Sequence, residues 1–158
     1  MSVIIRRAKE EDTPVLEDLY LKFSEWPLQR GQALRKIVKE TTSELLVAES
    51  NQEIVGFIHQ VFFLDPVHAG LNSYITSLFV KESHRKKGIG SQLLKKAVEN
   101  AKKKGVIEVH VDTEENNTET IEFYQKQGFK KVGVVFETKA LSKLGSCHGG
   151  NSNLFASD

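Results

Sequence analysis

SYITSLFVKESHRKKGIGSQLLKKAVENAKKKG, residues 73–105, decides the fold. Tyr74–Val80 is apolar enough to be a central strand. It runs into a short basic loop, Arg85-Lys86-Lys87-Gly88-Ile89-Gly90, that opens directly onto a helix. Ile89, Leu93, Leu94, Ala97, Val98 and Ala101 recur at helical spacing, and Gly105 supplies a stop. Such a junction aims several backbone N–H groups at one spot, at the positive end of a helix dipole. Gly88 and Gly90 permit backbone angles and close approaches that a Cβ forbids. The ligand suited to this geometry is a pyrophosphate.

Two other phosphate motifs fail. The chain has no Gly-x-x-x-x-Gly-Lys-Ser/Thr, and a dinucleotide fingerprint would need glycine where Leu93 stands. A second segment lies downstream: Asn117-Thr118-Glu119-Thr120-Ile121-Glu122-Phe123-Tyr124, then Gly128-Phe129. The pair of segments resembles the GNAT superfamily of N-acetyltransferases. Arg85 to Gly90 matches its Arg/Gln-x-x-Gly-x-Gly/Ala signature, and the spacing from Asn117 to Tyr124 matches its second motif. The resemblance covers roughly residues 73–129.

The resemblance implies acetyl-CoA as cosubstrate and no metal. Backbone donors of Lys86, Lys87, Gly88, Ile89, Gly90 and Ser91 would hold the pyrophosphate, and Arg85 of the signature would also bind the cosubstrate. The strand before the loop would splay, and main-chain groups of the run Leu78, Phe79 and Val80, those of Leu78 and Val80 by position, would bond the pantetheine arm. A fully paired strand has no such groups to offer, so a bulge or splay is required. Asn117 would contact the cosubstrate, although it is equally a natural helix N-cap, and Asn116 with Glu119 can form a capping box. Tyr124 would protonate the departing thiolate. Ordinary values near 10 for a phenol and 8.5 for a thiol make that step uphill by about 1.5 units, roughly 2 kcal/mol. The competing reading makes Tyr124 one more aromatic of a core helix.

An amine acceptor of ordinary pKa must lose a proton before it attacks. Glu108, His110 and Asp112 alternate on one face of a strand, and Asp112 is the first choice for the base. His59, His68 and a water chain are the alternatives. Trp26 is expected to line the acceptor pocket, with Tyr20, Phe23 and Glu25 near it, or else to serve in packing. The acceptor itself has no motif. A small-molecule amine is preferred over a protein N-terminus or lysine.

The remaining chain supports one domain over residues 1–144 and a Gly/Ser/Asn-rich tail over 145–158. The expected fold is α/β: three layers, GNAT-like, with a mixed, mostly antiparallel sheet and helices on both faces. Strands are expected at Val3–Arg7, Leu45–Glu49, Ile54–Phe63, Tyr74–Val80, Val106–Asp112 and Lys131–Leu141. Helices are expected from Thr13-Pro14, at Gln32–Thr42, after Gly90, and at Thr118–Gln127; Asp65–Asn72 reads as a loop. The tail reads as disordered, or as a strand completed by a partner chain, and the exposed sheet edge suggests a homodimer.

With 22 Lys+Arg against 21 Asp+Glu, net charge is +1, which argues against nucleic acid or membrane as partner. Lys95, Lys96, Lys102, Lys103 and Lys104 read as a solvated helix face. The single cysteine, Cys147, rules out an internal disulfide framework and leaves no thiol placed for an acyl-enzyme, so direct transfer in a ternary complex is expected. The N-terminal residues lack the apolar run of a signal peptide, which points to the cytoplasm. A non-catalytic acyl-CoA-binding module is the rival function; the presence of Tyr124 argues against it.

Overall fold

The computed structural model describes residues 2–23 and 30–138. Its described strands are β1 (Val3–Arg7), β2 (Ser43–Ser50), β3 (Glu53–Asp65), β4 (Gly70–Val80) and β5 (Val109–Val111). The helices are α1 (Thr13–Phe23), α2 (Arg30–Ile37), α3 (Ile89–Lys103) and α4 (Thr118–Lys126). The strands form one sheet in the order β1-β2-β3-β4-β5. Neighbours are antiparallel except β4 and β5, which are parallel and joined by α3. This is the expected mixed sheet with helices on both faces.

Alternation along the strands sorts their side chains into two cores. Leu46, Ile58, Ile75, Leu78 and Val80 pack with Leu93, Ala97, Phe123 and Tyr124 of α3 and α4. Leu45, Val47, Phe57 and Phe79 pack on the other face with Leu16, Leu19 and Leu34 of α1 and α2. A buried polar clamp fixes α3 to the sheet. The Glu44 carboxylate accepts from Gln60 Nε2 and Asn100 Nδ2, both at 2.9 Å, and Gln60 Nε2 also donates to the Ala97 carbonyl at 3.0 Å. Satisfied in this way, the charge holds the helix that begins at the glycine loop.

Several boundaries differ from the sequence reading. The helix expected over Gln32–Thr42 spans Arg30–Ile37, because Val38–Glu40 turns to bring Ser43 into β2. The loop expected over Asp65–Asn72 shrinks to residues 66–69. There the Asp65 carboxylate accepts the Val67 N–H at 2.9 Å and closes a tight turn. The strand expected over Val106–Asp112 is confined to Val109–Val111.

The largest correction concerns Lys131–Leu141, where no strand forms over residues 131–138. Val132 and Phe136 are 86% and 92% exposed, so this apolar segment lies against no other described element. Strand-like alternation supplies a propensity, whereas a strand also needs a neighbour to bond. Trp26, the second half of that expected strand and the 145–158 tail lie outside the described residues, as does the proposed domain boundary at 144.

Candidate active site

The glycine loop takes its shape from two left-handed residues, Lys86 (φ 57°) and Gly88 (φ 74°). Gly88 caps α3 without any side-chain hydrogen bond, so no cap side chain takes the first N–H groups of the helix. A Cβ built on Gly88 would meet nothing within 4 Å. Its glycine is therefore required by backbone angle and by whatever approaches the loop, not by crowding inside the chain.

Arg85 folds back under the loop. Its Nε donates to the Val80 carbonyl at 3.0 Å, and its guanidinium carbon lies 6.0 Å from the Phe79 ring centroid. Nη2 is buried without a partner. A desolvated guanidinium donor lacking an acceptor is costly unless a ligand oxygen reaches it, so the loop residues fit a phosphorylated ligand. Lys87 Nζ is engaged with the Ser83 carbonyl at 2.9 Å. Ser91 Oγ accepts from Gln127 Nε2 at 3.0 Å, tying the start of α3 to the end of α4. Neither the Arg85 fold-back nor the Ser91–Gln127 link is signalled by the sequence.

Beside this loop the sheet opens. β4 and β5 pair only over Ser73–Ile75 and Val109–Val111, leaving the rest of β4 with no strand on that side among the described residues. Lys81 donates its N–H to the Val55 carbonyl of β3. By the two-residue alternation, Phe79 main-chain groups also turn to β3, whereas those of Leu78 and Val80 turn to the open side. The expected splay is thus present.

Tyr124 lies on α4, 7% exposed, with ring centroids of Phe123 and Phe129 at 5.2 and 5.6 Å. Burial, and secondarily the charge of Asp112, push its hydroxyl well above the usual phenol range. The hydroxyl therefore stays protonated at neutral pH. Asp112 follows β5 directly and accepts a hydrogen bond from the Tyr74 hydroxyl across the strand pair. The structure brings Tyr74, Asp112 and Tyr124 into one electrostatic group; Tyr74 is the member that sequence reasoning missed.

Asn117 is the N-cap of α4, its side chain accepting the Thr120 N–H at 3.1 Å. The N-cap expected at Asn117 is thus the one that forms.

The other acceptor-side candidates separate. Glu108 Oε2 lies 3.5 Å from His110 Nε2 and 3.7 Å from His68 Nε2, and His68 Nδ1 bonds Asp65. These groups form a polar cluster linking the β3–β4 turn to β5. Among the described residues no group of three or more His, Cys, Asp and Glu is placed to hold a metal ion. His59 is buried at 8% exposure. Tyr20 stacks on Phe57 at 4.1 Å and shares a 2.8 Å hydrogen bond with Ser77, and burial pushes its hydroxyl up to about 12. It belongs to the aromatic core with Phe23.

The profile of the Acetyltransferase (GNAT) family matches residues 7–129. Human N-acetyltransferase 8 is 31% identical over 102 residues, covering 65% of this chain and 45% of that protein. The uncharacterized N-acetyltransferase YhfO of Bacillus subtilis is 29% identical over 133 residues, covering 80% of this chain and 89% of that protein. The chain thus spans less than half of the human relative. Among solved structures, a transcriptional regulator from Bacillus halodurans aligns with TM-score 0.79 at 26% identity, covering 87% of this chain and 99% of that one. The aminoglycoside acetyltransferase AAC(6')-Iy, in complex with a CoA bisubstrate analogue, aligns at TM-score 0.78 and 21% identity, covering 89% and 100%. With a family match over most of its length, the glycine loop at the head of α3 and a sheet splayed beside it, this chain belongs to the GNAT acetyltransferase family.

Proposed function

We propose that this chain is a cytoplasmic N-acetyltransferase that moves an acetyl group from acetyl-CoA to a primary amine of a small molecule, directly, within a ternary complex. The observation that carries this reading is the open run of β4 leading into the uncapped glycine loop. Acetyl-CoA supplies an activated acyl thioester. N–H groups from Lys86 through Ser91 hold its pyrophosphate, with the buried Arg85 Nη2 as an additional donor. The main-chain groups of Leu78 and Val80 take up the pantetheine arm. Asn117 orders the turn between β5 and α4 and adds a contact.

The protonated Tyr124 hydroxyl then donates to the departing sulfur as the bond to carbon breaks. The upward shift of Tyr124 makes the proton harder to give, but burial raises a thiolate's proton affinity in the same direction. The single cysteine, Cys147, lies in the sequence far from both motifs, which supports direct transfer over an acyl-enzyme. Mass-spectrometric screening of a metabolite and peptide library with acetyl-CoA tests the acceptor class. An acetylated small amine is expected; acetylation confined to peptide N-termini or lysines would overturn the small-molecule assignment.

Asp112 serves as base for the incoming amine, directly or through an oriented water. Its hydrogen bond from Tyr74 fixes the carboxylate at the mouth of the splay. Asp112→Asn is therefore expected to slow acceptors of high pKa by about 10²-fold and to spare amines already neutral at the assay pH. Rates measured against a series of amines of graded pKa check this. An equal loss for all acceptors would remove Asp112 from proton transfer.

The domain works as a homodimer. Supporting this, the outer edge of β5 has no strand beside it among the described residues, and Val132, Val134, Val135 and Phe136 are exposed together. Sedimentation at high micromolar concentration should give twice the monomer mass, and a monomer there would refute it.

A further inference from the structure

The orientation of the open run is set by one residue. Ser73 donates its N–H to Glu108 on the β5 side, while Lys81 donates to Val55 on the β3 side. Eight residues separate them. In an uninterrupted strand an even separation puts both N–H groups on the same side. The phase inverts once, at the register shift where His59 opposes Ser77 and Gln60 opposes Ile75, leaving Thr76 as the extra residue. Without that bulge, Ser77 and Phe79 would face the opening in place of Leu78 and Val80.

Thr76 has a specific restraint. His59 on β3 lies with Nδ1 2.6 Å from Thr76 Oγ1, and the Thr76 hydroxyl has the His59 carbonyl as its acceptor at 3.4 Å. Nδ1 and the Thr76 hydroxyl share the shorter of these bonds, which either tautomer of a neutral imidazole can make. Burial lowers the histidine to about 4, which keeps it neutral at physiological pH. Among the described residues its Nε2 is buried without a partner, and the ring's side-chain hydrogen bond is the one to Thr76.

We propose that His59 is a positioning residue for the cosubstrate: through Thr76 it holds the bulge that turns Leu78 and Val80 to the open side of β4. This rests on the assignment of those groups to the pantetheine arm. The role differs from that of a base, because the imidazole acts through Thr76 and touches no reacting atom.

The test compares His59→Leu, Thr76→Val, their double variant and His59→Asn, whose amide reaches roughly the place of Nδ1. Acetyl-CoA affinity is measured by calorimetry, with KM for acetyl-CoA and for the amine measured separately. His59→Leu and Thr76→Val should each weaken acetyl-CoA binding about tenfold, and the double variant by the same amount because one bond is lost. KM for acetyl-CoA should follow, KM for the amine should stay constant, and His59→Asn should recover most of the loss. Wild-type affinity in both single variants, multiplying losses in the double, or an Asn variant no better than Leu would overturn the proposal. Thr76 is exposed, so its variant tests the latch even if His59→Leu fails to fold. Failure of the wild-type protein to bind acetyl-CoA would instead overturn the site assignment beneath it.

Discussion

Acetyl-CoA at a hundredfold excess over its Kd is expected to raise the melting temperature of the wild-type chain by roughly 5–10 °C. Gly88→Val and Gly90→Val are expected to abolish that rise. At Gly88 the reason is conformational. A φ of 74° is poorly accessible to a β-branched residue, so the loop must rearrange and its N–H groups no longer converge. Open space around the glycine does not relieve this, because the strain lies in the backbone itself. Gly90 is buried in the first turn of α3, where a branched side chain must displace either the helix start or the ligand. Differential scanning fluorimetry with and without acetyl-CoA checks both variants. Equal protection of wild type and variants would remove the pyrophosphate from the loop.

Turnover should fall about 10²-fold in Tyr124→Phe, with acetyl-CoA affinity nearly unchanged. Phenylalanine keeps the ring packing against Phe123 and Phe129 and removes only the hydroxyl. The hydroxyl makes no hydrogen bond among the described residues, so its loss leaves no buried partner stranded and stability should scarcely move. That separates a chemical role from a packing role. Steady-state kinetics resolving kcat from KM decides it, and an unchanged kcat would leave Tyr124 as core alone.

The parts of this site legible in the sequence were those fixed by local conformation. Gly88 and the stripe of α3 announce a loop and a helix because left-handed backbone and helical periodicity are written within a few residues. The parts that were hidden depend on pairing. The bulge at Thr76 arises from register against β3, which no residue of β4 reveals by itself. Arg85 is legible as the first residue of the signature, but not the turn of its side chain back to the Val80 carbonyl. Tyr74 reads as another strand aromatic until β5 sets Asp112 against it. In the opposite direction, Lys131–Leu141 carries strand chemistry and forms no strand over its described part, because propensity does not supply a neighbour. The acceptor side stayed unread since α1, α2 and the β3–β4 turn carry shape rather than motif.

The central claim, that this chain transfers acetyl groups and does more than bind the cosubstrate, is tested most directly by following free CoA thiol in the presence of acetyl-CoA and a panel of primary amines. At least one amine is predicted to release CoA well above the amine-free rate, and that release should be lost in Gly88→Val and strongly reduced in Tyr124→Phe. Binding of acetyl-CoA without amine-dependent release from any member of the panel would contradict the claim and identify the domain as an acyl-CoA-binding module.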